Sequence, residues 1–246
     1  MSVIHHPNVV NDGLIACWDA ANRVSYPGAG TTWTDVVGGN EGILQNRGGA
    51  GGTAPSFVSE WQGVIDFDGT DDEVDCGTNQ IIPLGTSPVT MSYWIRNESL
   101  PDRYVSMRFI QSDDTELIIG WYKNGEHSAF YFGFRFDSSI RVANDTGYDI
   151  DDWLNQWVNI TLVYLGGTKG SVSNWALYFN SKPLSIVLGG TIGGSVSTIR
   201  NVFSNNDNST GGHLNGYMAS MSVWNRALSV AEIKQNYDAM KYRFNL

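Results

Sequence analysis

The chain has 246 residues and a formal net charge of −10, with 16 % charged and 41 % hydrophobic side chains. That length suits one all-β domain whose core needs no disulfide or metal staple. The acidity, with no basic stripe anywhere, excludes a nucleic-acid partner, because phosphate backbones are held by clustered Lys and Arg.

The opening MSVIHHPNVVN is interrupted by His5, His6 and Pro7 and lacks the basic start and apolar run of a secretory signal. Export by the usual route is therefore not expected. Residues 1–11 are expected to form an arm that orders only against a partner, and 12–246 a single domain that includes the C-terminal helix. No apolar run reaches the roughly 18 residues of a membrane-spanning helix, so membrane insertion is not expected.

Strand signals then recur: GLIACWDA, GVIDFDG, TMSYWIRN, ELIIGWY, AFYFGFRF, WVNITLVYL and WALYFN, each bounded by Gly, Asn, Asp, Ser or Pro. Their spacing, with 28 glycines along the chain, predicts a sandwich of many short strands. The sharpest alternation places Phe130, Phe132, Phe134 and Phe136 on one face and Tyr131, Gly133 and Arg135 on the other. Lys123-Asn124-Gly125 supplies an Asn-Gly turn just upstream. Gly38 to Gly52 and Asn205 to Gly212 are poor in apolar residues and predict two long loops. Cys17 and Cys76 are too few for a disulfide framework and fit buried strand positions, which leaves their redox state open. Only the end predicts a helix, about 229–243: Ser229 and Glu232 form a capping box, and Val230, Ile233, Tyr237, Met240 and Phe244 recur at three or four. That stripe is expected to dock on the chain's own sandwich.

Several blocks together carry a family pattern. DGLIACWDAANRVSYPGAGTTWTDVVGG, FDGTDDEVDCG, TMSYWIRN, the pair WVNITLVY and WALYFNSKPL, and LNGYMASMSVWNRALSVAEIKQNYDAMKYRF follow one another in the order seen in laminin-G/pentraxin-like, concanavalin A-like jelly rolls. The resemblance runs from about Asp12 to Phe244. The opening block is similar to the version in virion proteins of tailed bacteriophages, marine and cyanobacterial ones especially. The resemblance implies an all-β concanavalin A-like jelly-roll sandwich of two antiparallel sheets with a short C-terminal helix. It also implies a virion structural protein, either capsid decoration or fibre component, of an adhesive, carbohydrate-binding type. Such a protein is made in the host cytoplasm, contacts other virion proteins and a host-surface glycan, and by analogy is a homo-oligomer or repeated by symmetry. The alternative is a calcium-assisted, lectin-like carbohydrate-binding module of a bacterial protein. The chain departs from its relatives at Glu73, at Phe179-Asn180-Ser181 and at His213, where aromatics or a different turn are usual.

The acid-rich FDGTDDEVDCG admits several chemistries. Family-16-type glucanases share the implied fold and place three acids at alternate positions of one strand. Glu73 and Asp75 supply two, but the third falls at Gly77 or Thr78, so no catalytic residue is assigned and the chain is not expected to be an enzyme. Counted as an EF-hand from Asp66, the stretch has Asp71 where Gly is required and Gly77 where Glu is required. There is no G-x-S-x-G, no Gly-Lys pair for a phosphate loop, and the four His are scattered. Two readings stay open. In one, Asp68-Gly69 opens a hairpin, Asp71 and Asp72 accept hydrogen bonds from turn N–H groups, and Phe67 and Val74 face the core. In the other, Asp71 and Asp72 hold a rim Ca2+ with loop carbonyls, and Asn205 and Asp207 are further oxygen ligands. No cofactor is required, and Ca2+ is the one candidate ion. Sugar sites combine an aromatic platform with amides and carboxylates, which makes Trp121, Tyr122, His127, Tyr131 and Trp153 the carbohydrate-binding candidates.

Overall fold

A computed structural model describes residues 8–47, 52–83, 85–99, 103–110, 116–124, 127–134, 138–142, 150–191, 201–204 and 212–246. Among them run β1 (Leu14–Asp19), β2 (Thr32–Thr34), β3 (Glu41–Asn46), β4 (Ser56–Val58), β5 (Val64–Asp68), β6 (Asp72–Asp75), β7 (Val89–Ser99), β8 (Arg103–Ile110) and β9 (Glu116–Asn124). There follow β10 (His127–Phe134), β11 (Ser138–Val142), β12 (Trp157–Tyr164), β13 (Trp175–Phe179), β14 (Lys182–Leu184), β15 (Ile186–Thr191), β16 (Asn201–Phe203), β17 (Asn215–Trp224) and the helix α1 (Val230–Met240).

The pairings are antiparallel and build two sheets. The first has the order β14-β13-β12-β7-β17-β5-β4, and the second β15-β11-β10-β9-β8-β16-β6-β3-β2. β17 binds the first sheet together: its near half pairs with β5 and its far half with β1, while β7 runs along its other edge. Between the sheets lies one core. Trp18 and Trp33 meet the ring of Phe203 edge-on at 5.5 and 6.1 Å, and Phe67, Ile119 and Met221 are fully buried around them. This is the two-sheet jelly roll with a short C-terminal helix that the resemblance implies.

The seven segments with bulky alternating side chains are all strands, namely β1, β5, β7, β9, β10, β12 and β13. Phe130 and Phe132 of β10 are buried; Phe136 lies outside the described residues. β10 pairs with β9 from His127 opposite Asn124, and residues 125–126 are outside the described ones. The loop expected over Gly38 to Gly52 is a correction. β3 runs through it, and its inward positions are Gly42 and Leu44, a single large apolar side chain that leaves almost no alternation to read.

β7 and β12 are buried at nearly every position, because the first sheet is covered on both faces. The sandwich covers the inner face and the C-terminal segment covers the outer one. Phe244 stacks at 4.4 Å on Trp94 and lies 4.4 Å from Trp157, and Tyr237 stacks on Trp94 at 5.6 Å. Ile233 joins Val163, Tyr178, Trp224 and Leu228 further along. α1 begins in the expected capping box of Ser229 and Glu232. Two hydrogen bonds from Arg226, with help from Ser229, hold the Glu232 carboxyl at about 2, well below the usual range. After α1 a 3-10 turn, Lys241–Phe244, brings in Arg243. Its buried guanidinium donates to Asp19 Oδ1 (2.8 Å), to the Trp61 carbonyl (2.6 Å) and to the Gly63 carbonyl.

The end of the arm is seated on the chain itself. Val10 N donates to Asn236 Oδ1 at 2.8 Å, Trp224 Nε1 to the Val10 carbonyl at 2.8 Å, and Gln235 Nε2 to the Asn8 carbonyl at 2.7 Å. The expectation of an arm ordered only by a partner is corrected for these residues, because their backbone groups have partners within the chain; residues 1–7 lie outside the described ones.

Gly216 sits at the bulge where β17 leaves register with β7, at φ +140°, and an added Cβ would lie 2.1 Å from the Arg96 carbonyl oxygen. Both the backbone conformation and the clash disfavour any side chain there. Gly216→Ala is expected to lower unfolding free energy by about 3 kcal/mol. The denaturant midpoint reads this directly, and an unchanged midpoint contradicts it.

Candidate functional site

The acid-rich stretch is a crossing between sheets, not a hairpin. β5 ends in the first sheet beside β17 and β4, whereas β6 begins in the second beside β3 and β16. Phe67 and Val74 are both fully buried and enter the same core from opposite sheets. That is why a stretch with inward side chains at each end resembles a hairpin in sequence. Gly69 makes the sharp exit possible: its φ is +78°, and a Cβ would lie 2.7 Å from Asn215 Cβ.

The aspartates shape the crossing and leave something over. Asp68 Oδ1 accepts from Thr70 N at 2.8 Å, and Asp72 Oδ2 accepts from Asp68 N at 2.9 Å. The carbonyl of Asp72 accepts from Ser204 Oγ at 2.9 Å and lies 3.1 Å from His213 Nδ1. The other carboxylate oxygen of Asp72, a residue only 3 % exposed, is buried with no hydrogen-bond partner, as is Asp71 Oδ1. Burial pushes the Asp72 carboxyl up to about 7, with the charges of Asp68, Asp71 and Asp66 adding to it against the hydrogen bond from Asp68 N. One carboxylate oxygen from each of Asp68, Asp71 and Asp72 lies within 4.8 Å of the others. An all-oxygen set with a buried, unsatisfied anion fits a hard divalent cation such as Ca2+. Asn205 and Asp207 lie outside the described residues.

Beside this cluster, on the outer face of the first sheet, four residues stand directly opposite one another across four strands: Asp66, Tyr217, Arg96 and Trp157. The C-terminal cap covers Trp157, and beside it Arg96, Tyr217 and Asp66 are half-buried. Over them hangs Trp61, from a 3-10 turn at Glu60–Gln62 in which it adopts φ 48°, ψ 35°. Its ring lies 5.4 Å from Tyr217 and edge-on at 5.4 Å to Trp157. The Arg96 guanidinium is set 5.1 Å from the Trp61 ring and 5.6 Å from that of Tyr217. Arg96 Nε is buried without a partner, and Glu98 Oε1 is 3.8 Å from Nη2, beyond hydrogen-bond length. Burial raises the Asp66 carboxyl, and the charges of Glu98 and Asp68 raise it further.

The five carbohydrate-binding candidates do not converge here. Trp121 is 2 % exposed, packed between Phe130 at 5.0 Å and Phe179 at 5.8 Å. A ring enclosed by core side chains offers no platform to a ligand. Tyr131 is half-buried on β10 opposite Gly120 and Arg141, and Tyr122 stands opposite Ala129 and Arg103. His127 begins β10 opposite Asn124. Trp153 ends a 3-10 turn at Ile150–Trp153 and lies edge-on to Phe179 at 5.5 Å. Of the glucanase-like acids, Glu73 is fully buried and accepts from Gln45 Nε2 at 2.8 Å. Cys17 and Cys76 are both free thiols. Among the described residues, no helix is long and apolar enough to cross a membrane.

The profile of the Laminin_G_3 family, described as the concanavalin A-like lectin/glucanases superfamily, matches residues 68–234. No curated protein sequence matches the chain. Solved structures do. Trypanosoma rangeli sialidase in complex with sialic acid aligns over 97 % of this chain and 36 % of its own, at TM-score 0.61 and 12 % identity. The chain thus spans about a third of the sialidase. Domain 4 of AbnA, a GH43 extracellular arabinanase from Geobacillus stearothermophilus, in complex with arabinotriose, aligns over 91 % of this chain and 98 % of its own, at TM-score 0.59 and 12 % identity. The binding domain of Paraclostridial Mosquitocidal Protein 1 aligns over 92 % and 52 %, at TM-score 0.59 and 16 % identity. At these identities the likeness is one of fold. It nevertheless corrects the expectation that the chain is no enzyme. The sialidase is an enzyme and AbnA carries this fold as a domain, so the acid missing at Gly77 does not set the chain apart from enzymes.

Without a cation, Asp72 binds its proton more tightly in the folded chain than in the unfolded one, where its carboxyl has the ordinary value of 3.8. The folded state then holds the extra proton between that value and about 7, so this contribution to stability is full in acid and is lost as pH rises through about 7. Melting the chelated protein across that window is expected to show a midpoint that falls with pH, and Asp72→Asn is expected to flatten the fall. A fall of equal size in the variant contradicts the assignment.

Proposed function

The chain belongs to the Laminin_G_3 family of the concanavalin A-like lectin/glucanases superfamily, and from that premise we propose that it is a carbohydrate-binding module with a Ca2+ held by Asp68, Asp71 and Asp72. The observation that carries this reading is the Asp72 carboxylate, buried and half unpaired beside two other acids. Such an arrangement is costly for a bare chain, since the buried, unpaired oxygen of Asp72 is withheld from water beside two other carboxylates. A bound Ca2+ supplies the missing positive charge and a Lewis-acidic contact for sugar oxygens. The residues contribute the rest: Asp68 and Asp72 fix the crossing by their backbone hydrogen bonds, and Ser204 and His213 hold the Asp72 main chain in place. The reading is supported by two structures that share the fold, one a domain in complex with arabinotriose and the other a binding domain.

A glycan array probed with the intact chain tests it. Binding is expected in Ca2+, loss in EDTA, and recovery when Ca2+ is restored, with Asp72→Asn insensitive to the ion. An array that stays blank in Ca2+ removes the lectin reading, and binding indifferent to EDTA removes the ion.

We also propose that the module works on the particle of a tailed phage, as capsid decoration or fibre component, in contact with other virion proteins. The support is the resemblance of DGLIACWDAANRVSYPGAGTTWTDVVGG, from Asp12 to Gly39, to phage virion proteins. Mass spectrometry of purified particles is expected to find the chain in many copies per particle. Its absence from the particle contradicts this placement and leaves the lectin reading intact.

A further inference from the structure

The clearest unmet chemistry outside the acid cluster is Arg96. A guanidinium offers five N–H donors in a fixed fork. Here it lies beside two adjoining aromatic rings, with its side chain 21 % exposed, Nε buried without a partner, and Glu98 Oε1 3.8 Å away. Buried donors left unpaired are costly. A core arginine is ordinarily bonded, as Arg243 is to Asp19, Trp61 and Gly63 nearby. Arg96 is part-exposed beside the cap, where a ligand can reach it.

What surrounds Arg96 defines what would satisfy it. Trp61 and Tyr217 present half-buried aromatic rings, which stack on the C–H face of a pyranose. Asp66 stands opposite Tyr217 on β5, and Glu98 is hydrogen-bonded to the Tyr217 side chain, which leaves carboxylate lone pairs on both acids to accept from hydroxyl groups. Arg96 has only donors to offer, and these suit the lone pairs of neighbouring hydroxyl or ring oxygens. The two flanking acids, with Asp68 close by on the same face of β5, repel a carboxylate- or sulfate-bearing ligand. A lipid or an apolar peptide would leave both the arginine and the acids unpaired.

We propose that Trp61, Tyr217 and Arg96, flanked by Asp66 and Glu98, form a sugar subsite that takes an uncharged pyranose. It rests on the lectin reading above and names where and what the module binds. The arrangement is held from behind. Arg243 bonds the Trp61 carbonyl and the Gly63 carbonyl, so the strained turn that aims the Trp61 ring is fixed by the C-terminal cap.

The test titrates the full chain, in Ca2+, with the methyl glycosides of glucose, galactose and mannose and with glucuronate, following tryptophan fluorescence and heat of binding. At least one neutral glycoside is expected to bind and glucuronate is not. Trp61→Ala is expected to weaken binding about tenfold, and Arg96→Lys, which keeps the charge but not the fork, by a similar factor. Glu98→Gln lies at an exposed position, leaves the core untouched and is expected to weaken binding about tenfold, so the outcome does not depend on whether Trp61→Ala folds. Neutral sugars binding equally to the parent and to Glu98→Gln and Arg96→Lys overturn the subsite while leaving the lectin reading standing. Preference for glucuronate overturns the ligand class, and a parent that binds no sugar overturns both the subsite and the reading on which it rests.

Discussion

Phe244, stacked on Trp94 and tilted against Trp157 at 4.4 Å, closes the outer face of the first sheet. A sheet whose outer face carries two tryptophans cannot be left to water: each large side chain so buried is worth about 2 kcal/mol, and a stacked pair about 1 more. The C-terminal segment covers that face and makes β7 and β12 buried on both sides. Beside the part it covers, Arg96, Tyr217 and Asp66 are only half-buried. Arg243 transmits this placement, since one guanidinium joins the end of β1 at Asp19 to the turn that carries Trp61. The half-buried ring of Trp61 is positioned by the same segment that hides Trp94 and Trp157.

The two chemically unusual places share strands. Asp68 is opposite Asn215 and Asp66 opposite Tyr217, so the acid cluster and the aromatic patch lie along the same stretch of β5 and β17. Their electrostatics are joined as well. The charge of Asp68 helps to raise the Asp66 carboxyl, and both acids contribute to raising Asp72. On the proposed reading, a cation at Asp68, Asp71 and Asp72 would lower the negative potential on Asp66 and favour its ionised form, which would couple ion and sugar through one strand.

Much of the fold was legible in the sequence where side chains are bulky and alternate, as at Phe130 and Phe132, and where capping chemistry is explicit, as at Ser229 and Glu232. β3 was not, because Gly42 and Leu44 give too little contrast, nor was β17, whose interior mixes Ala219, Ser220 and Ser222 with its large residues. The crossing at Asp68–Asp72 looked like a hairpin because local turn chemistry is the same whether the next strand pairs with the last one or leaves for the other sheet. The sugar candidates fared unevenly for a related reason. Aromatic count and loop proximity do not distinguish an inward ring such as Trp121 from a rim ring such as Trp61. Arg96, Tyr217 and Asp66 meet only through a register set by β17, which pairs residues more than a hundred positions apart. The acidic cluster was legible as residues, whereas the burial of Asp72, whose main-chain carbonyl meets Ser204 and His213 from more than a hundred positions away, was not.

If one end of β5 holds an ion at the aspartates and a sugar against Trp61, both are visible in a crystal structure of the chain grown with Ca2+ and a neutral methyl pyranoside. A calcium ion bounded by Asp68, Asp71 and Asp72 is expected there, with a sugar ring lying on Trp61 and its oxygens toward Arg96. A sugar bound on the outer face of the second sheet, with the aspartates holding no ion, would contradict this expectation.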